Sequence, residues 1–333
     1  MHVTVRGAGV AGLTCALRLA ERGASVTIHE RGDRLGAGAA SWYAGGMLAP
    51  WCELESAEPL VARLGLEAID WWAQQFPQTV RNGSLVVAQG RDVGDLSRFA
   101  RRTQNFEWVD GDRIAELEPD LAGRFHKGLF FSGEAHLDPR AALTALAARL
   151  DALGVSIRWN SAAEAPPGPI VDCRGLAARD TLPDLRGVKG EMLLIRSREI
   201  TLSRPIRMLH PRIPVYVVPR ADGVFMVGAT MIESDDEQRI SVRSLLDLLG
   251  AAYALHPAFG EAEVVETGTG VRPSFPDNLP RLRWRGSTLH VNGFYRHGFL
   301  LAPALARMAA AAILDGEIFE EVMDENPAQR QRA

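Results

Sequence analysis

Lysine is nearly absent: of 37 basic residues only Lys127 and Lys189 are lysines, and the arginines do not cluster. With a formal net charge of −4, the chain has no basic stretch of the kind that binds nucleic acid. The arginine bias reads as genomic base composition, not function. Cysteine is scarce as well. Cys15, Cys52 and Cys173 are scattered without metal-ligand spacing, which fits a reduced, cytoplasmic protein with no metal centre. No apolar run reaches the roughly 18–20 residues of a membrane span. Met1 leads directly into the strand-like His2-Val3-Thr4-Val5, leaving no room for a signal peptide.

What is present supports a large core. The 333 residues are 47% hydrophobic, enough for one or two domains. Residues 2–6 alternate like a strand and run into Gly7-Ala8-Gly9-Val10-Ala11-Gly12. A helix follows through Leu13, Ala16 and Leu17 and stops at Gly23. A second strand, Ser25 to Glu30, ends on an acid. Gly7, Gly9 and Gly12 have the spacing for a tight turn, close backbone approach to a pyrophosphate and close helix packing. Glu30 stands where a carboxylate accepts hydrogen bonds from a ribose diol. Arg6 is unusual, because a small or apolar residue usually ends that strand.

From about Asn82 the texture changes. Strands are expected at Ser84–Ala88, Gly128–Phe131, Val155–Arg158 and Ile170–Cys173, and helices at Asp92–Arg102 and from Asp138 or Pro139 to Leu153. Antiparallel-looking strands follow at Glu191–Ile195, Val215–Val218, Val224–Val227 and Glu263–Gly268, interrupted by a helix from Ser241 to Leu255. A last strand, Thr288–Asn292, delivers Gly293-Phe294-Tyr295-Arg296-His297-Gly298 and an apolar helix. The α/β text at both ends and the strand-rich middle suggest an α/β, Rossmann-like dinucleotide domain (1–81, 135–187, 269–324) interleaved with a mixed or antiparallel-sheet substrate domain (82–134, 188–268). Residues 325–333 read as a disordered tail.

FAD and NAD share the glycine fingerprint, so other segments must separate them. Gly36 to Gly46 is a second glycine-rich stretch, in which Ser41 can reach a phosphate and Gly45-Gly46-Met47 can lie against a ring. A tricyclic ring needs several backbone segments converging on it, and Phe294 to Leu300 supplies a second. Arg296 sits just before a helix start, where unpaired N–H groups favour an electron-rich ligand edge.

Gly7 to Gly12, Glu30, Ala44-Gly45-Gly46-Met47-Leu48-Ala49-Pro50, Tyr216 to Arg220, Val227-Gly228-Ala229-Thr230, Gly270-Val271-Arg272-Pro273 and Tyr295 to Pro303 occur in an order that resembles the glycine oxidases of the D-amino-acid oxidase superfamily. The resemblance implies a non-covalent FAD and a place in thiamine biosynthesis. It places the substrate carboxylate on Arg272 and Arg296, with Tyr216 beside them. It places flavin contacts on Gly45, Gly46, Met47, Phe294, Tyr295, Arg296, His297, Gly298, Phe299 and Leu300. Diphosphate and ribose contacts fall on Val10, Ala11, Glu30 and Arg31, with Ala40 and Ser41 nearby, and an adenine-side contact near Ala163. The usual Gly-Ala-Trp-Ser after the third core strand is replaced here by Gly175-Leu176-Ala177-Ala178. Relatives that tether the flavin use a C-terminal cysteine or a histidine before the Ala-Gly motif; here the last cysteine is Cys173 and Tyr43 stands at the second place.

The implied reaction is oxidation of glycine by hydride transfer to flavin N5, with O2 as acceptor and an imine that hydrolyses to glyoxylate and ammonia or passes to a thiazole synthase. No general base stands out. His297 is expected to point away from Arg296 if its segment is extended, and His210 to order a loop. Competing readings are a D-amino-acid or sarcosine oxidase or dehydrogenase on the same scaffold, a nicotinamide-dependent dehydrogenase, and a non-catalytic flavin-binding partner. A homo-oligomer is compatible with the sequence.

Overall fold

Buried strand residues on both faces set the first sheet. Val3, Thr4 and Val5 of His2–Arg6 are all buried, as a central parallel strand requires. That strand pairs in parallel with Ser25–His29 on one side and Ile170–Asp172 on the other. The sheet runs in the order Arg281–Arg285, Thr288–Asn292, Ile170–Asp172, His2–Arg6, Ser25–His29, Ser156–Arg158, antiparallel only at its first pair. The computed structural model describes residues 1–162, 168–210 and 214–324. The tail expected at 325–333 and Ala163 lie outside the described residues.

Four helices, Val10–Glu21, Pro59–Gln75, Pro139–Ala152 and Gly298–Leu314, share one apolar core with this sheet. The third begins where the sequence marks it: Asp138 accepts from the amides of Arg140 at 2.8 Å and Ala141 at 3.1 Å, and Pro139 needs no donor.

The second sheet has nine strands, in the order Ile232–Glu233, Arg186–Arg196, Val224–Gly228, Val215–Pro219, Ile206–Leu209, Ser84–Ala88, Lys127–Phe131, Glu107–Asp110. The ninth, Glu263–Ser274, pairs along Arg186–Arg196. All pairs are antiparallel except Ile206–Leu209 with Ser84–Ala88. The Val242–Leu255 helix covers it, with Ser241 accepting from the Ser244 amide at 3.1 Å.

Glu263–Ser274 is longer than the expected Glu263–Gly268, and the extension carries Arg272. Gly268, Gly270 and Pro273 look like strand breakers, but tertiary contacts use them. A Cβ at Gly268 would lie 2.3 Å from the Tyr43 ring, and one at Gly270 3.0 Å from Ala40 Cα. The strand lies at a sheet edge, where Pro273 is tolerated. It therefore passes directly beneath the glycine-rich loop of the other domain-like half.

The last helix contains Pro303, which has no N–H to give to the carbonyl of Phe299. Trp72 fills that vacancy: its fully buried indole N–H donates to Phe299 O at 2.8 Å, and the two rings lie 5.3 Å apart. One tryptophan thus satisfies the opening turn of the helix behind Arg296. Trp72→Phe should lower unfolding stability by about 1–3 kcal/mol, the cost of a buried carbonyl left unpaired. A denaturant midpoint matching the parent's would refute that role.

Candidate active site

A cavity of 660 Å³ lies between the carboxyl ends of the parallel strands and the edge of the second sheet. Its first end is built by Gly7, Gly9, Val10 and Ala11 with Glu30 and Arg31. Gly7 has a φ of +96°, and a Cβ there would strike the Cys173 carbonyl at 2.7 Å. Gly12 packs tighter still, since its Cβ would meet Gly7 O at 1.8 Å. Glu30 accepts from the amides of Ala8 at 2.7 Å and Gly32 at 2.8 Å, which fixes the carboxylate while leaving lone pairs for a diol. Arg6 also lines this end. It stands beside His29, whose pKa is lowered by burial first and then by Arg158 and Arg6.

Two helix starts open onto the cavity. Neither Gly9, before Val10–Glu21, nor His297, before Gly298–Leu314, supplies a side-chain cap. Ser41 Oγ lies 3.3 Å from the Val10 amide, at the edge of the first. Free amides and helix dipoles at both places suit a ligand with anionic or electron-rich edges.

At the other end Tyr216 lies over Gly45, where a Cβ would come within 2.7 Å of its ring. Burial raises the Tyr216 pKa, so the phenol keeps its proton and can donate. The Arg272 guanidinium lies over Gly190, whose Cβ would sit 2.1 Å from Nη2. Arg272 Nη1 donates to Thr230 O at 3.0 Å, and among the described residues no carboxylate pairs with it. Burial lowers its pKa, partly offset by Tyr216 and Tyr295.

Arg296 has a different environment. Its Nη2 lies 2.7 Å from Glu53 Oε2, a close ionic contact off the hydrogen-bond direction, and donates to Ser56 Oγ at 2.6 Å. Its Nη1 is 3.6 Å from Met231 Sδ. Burial opposes the charge on Glu53, yet Arg296, His297 and Arg207 outweigh it and hold the carboxyl at about 2. His297 is neutral, its pKa brought down to about 4 mainly by burial.

The sequence of the FAD dependent oxidoreductase family matches residues 2–312. The chain belongs to that family. It is therefore an FAD-dependent oxidoreductase, and the cavity fits the group: a glycine turn and helix start for the diphosphate, a fixed acid at the ribose end, and a second helix start for the ring. Among similar proteins, one of Rhizobium etli provisionally named thiamine biosynthesis oxidoreductase ThiO is 59% identical over 317 residues, spanning 94% of this chain and 97% of that one. The bifunctional protein ThiO/ThiG of Synechocystis sp. is 28% identical over 345 residues, 95% of this chain and 52% of its own length. The crystal structure of glycine oxidase from Geobacillus kaustophilus matches with a TM-score of 0.80 at 22% identity, covering 98% of this chain and 97% of that one.

Of the residues the sequence singled out, most form the cavity wall: Gly7, Gly9, Val10, Ala11, Glu30 and Arg31 at one end, Ala40, Ser41 and Gly45 along the side. Tyr216, Arg272, Phe294, Tyr295, Arg296, Gly298 and Phe299 close the other end. Five sit behind it. Gly12 supports Gly7, and Gly46, with a φ of +72°, abuts the Leu137 carbonyl. Met47 pairs with His136, Leu300 packs on Gly65, and His297 turns to Glu53.

The expected direction of His297 is corrected. Its segment is a tight turn, not extended: Tyr295 has a φ of +51°, its amide binds Pro273 O at 2.9 Å, and the His297 amide binds Phe294 O at 2.8 Å. Arg296 and His297 consequently reach the same Glu53 oxygen, His297 Nδ1 at 3.4 Å.

Sequence reasoning missed Glu53, Ser56, Met231 and Gly190. The available signal for Glu53 was its position in Pro50-Trp51-Cys52-Glu53, directly after the Gly45 to Met47 segment. Its short helix is held by Glu134, which accepts from the amides of Trp51 at 3.1 Å and Cys52 at 2.8 Å and from the Ser84 hydroxyl.

Burial pushes the Glu134 carboxyl from 4.5 up to about 7, despite its donors. A carboxyl with a raised native pKa stabilises the fold fully below about 4.5 and loses that contribution as pH rises through about 7. Glu134→Gln should lack this loss. Its Tm minus the parent's should climb across that interval and then level off; a pH-independent difference would count against it.

Proposed function

We propose that the chain is an amino-acid oxidase whose substrate is glycine, working in thiamine biosynthesis. The observation that carries this reading is Arg272, a half-buried guanidinium with no carboxylate partner among the described residues, placed beside the Tyr216 phenol at the far end of the dinucleotide cavity. Such a pair suits one carboxylate. The 59% identity to the Rhizobium etli protein supports the pathway, and the fused ThiO/ThiG relative supports handover of the product to a thiazole synthase.

FAD would be held without a covalent bond by Gly7 to Ala11, Glu30, Arg31, Ser41, Gly45 and the turn from Phe294 to Phe299. When bound it supplies a two-electron acceptor for the hydride leaving the substrate Cα, with dioxygen as final acceptor.

The residues of this chain bind and position. Arg272 takes the carboxylate and Tyr216 adds a hydroxyl donor, which fixes the Cα within the cavity. Positive charge from Arg272 beside the substrate favours the neutral amine, whose lone pair the developing imine needs. His297 is buried against Glu53 and so does not serve as base. The start of Gly298–Leu314 favours negative charge gathering on the ring side of the cavity. Residues 1–81, 135–187 and 269–324 would form the FAD-binding unit and 82–134 with 188–268 the substrate unit, the edge strand Glu263–Ser274 bridging them.

Purified protein should be yellow and release hydrogen peroxide from glycine, with sarcosine and D-alanine as competing substrates. Arg272→Ala should raise KM for glycine by a factor corresponding to roughly 1.5–3 kcal/mol while FAD stays bound. Unchanged glycine kinetics in that variant would sink the assignment.

A further inference from the structure

The two arginines at the substrate end carry the same charge but are paired differently. Arg272 has no carboxylate beside it among the described residues and spends one proton on the Thr230 carbonyl. Arg296 is already countered: Glu53 Oε2 and Ser56 Oγ occupy Nη2 at 2.7 and 2.6 Å, and Met231 Sδ faces Nη1. Arg296 lines the cavity, and Glu53 stands behind it.

Glu53 cannot easily move aside. Its helix, Pro50–Glu53, is anchored through two backbone amides to the buried Glu134. Its carboxylate also faces Arg207 Nη1 at 3.5 Å and His297 at 3.4 Å, neither of which belongs to the cavity wall. An anionic group approaching Arg296 from the cavity would therefore meet a guanidinium whose Nη2 is already taken by Glu53 and Ser56, with a fixed negative charge directly beyond it. Like charges forced together at a desolvated site are strongly disfavoured.

We propose that Glu53 is a specificity-determining residue: by occupying Arg296 and setting a negative charge behind it, it leaves Arg272 as the guanidinium at this end without a carboxylate among the described residues, so the site selects amino acids with one carboxylate over those with two. This rests on the reading that the substrate carboxylate sits on Arg272. Glu53 acts through Arg296 and is a positioning residue for the reaction itself. Specificity of this kind is a difference of affinities, achieved by placing a repulsive charge against the wrong ligand.

The test compares iminodiacetate with its monoamide, which match in size and differ by one charge. Binding to the FAD-loaded enzyme is read from the flavin absorbance change without oxygen, and turnover from peroxide. The native protein should bind the monoamide at least roughly tenfold more tightly than iminodiacetate. In Glu53→Gln that preference should shrink to less than roughly threefold or invert, a change a merely structural role would not produce. In Glu53→Gln with Arg296→Gln, the gain for iminodiacetate should disappear.

Equal native affinities would overturn the proposal, as would a Glu53→Gln variant that weakens both compounds and glycine by one common factor. Failure of both compounds to bind to either protein overturns it too. If Glu53→Gln does not retain FAD, the native comparison decides. Glycine is the control for the underlying reading: a native protein that holds FAD yet neither binds nor oxidises glycine removes that reading, whatever the analogues do.

Discussion

Two helices begin at the same cavity with N-cap residues, Gly9 and His297, that give them no side-chain cap, and the site is organised around that constraint. Their free amides carry partial positive charge that a folded protein must satisfy or aim at a ligand. Gly9 opens the first helix beside Gly7, and His297 opens the last behind a tight turn. The two helices lie in the same apolar core, so both starts are fixed relative to each other by packing. Trp72 completes the arrangement by taking the carbonyl that Pro303 leaves unpaired, which lets an almost wholly buried helix stay intact one turn from the cavity.

At the far end of the cavity the organising force is charge. Two guanidiniums, Arg207 and Arg296, and the neutral His297 crowd around the Glu53 carboxylate, with Arg272 apart. Burial makes each imbalance expensive, so the pairing decides which cation remains available to a ligand. Glu134 underpins this by gripping the backbone of the Glu53 helix. The bare glycines Gly45 and Gly190 then give Tyr216 and Arg272 room to lie against the backbone.

Much of the fold was legible because its signals are local. The glycine turn, Asp138 with Pro139 and the cap at Ser241 all act within a few residues of themselves. The length of the Glu263–Ser274 strand was not, because Gly268 and Gly270 are justified only by Tyr43 and Ala40 pressing on them from another part of the chain. The short strands Ile206–Leu209, Glu107–Asp110 and Arg281–Arg285 were also missed, since pairing with neighbours and not internal pattern defines them.

The sequence by itself determined where backbone amides would be left open and which residue types could grip a carboxylate, because helix starts, turns and side-chain chemistry are properties of short segments. Only the tertiary structure decided that Arg296 meets a carboxylate while Arg272, among the described residues, does not, and that His297 turns inward with its neighbour. Those outcomes depend on Glu53 reaching them from a distant helix, and an ion pair's strength is set by distance and burial, neither of which a linear sequence carries.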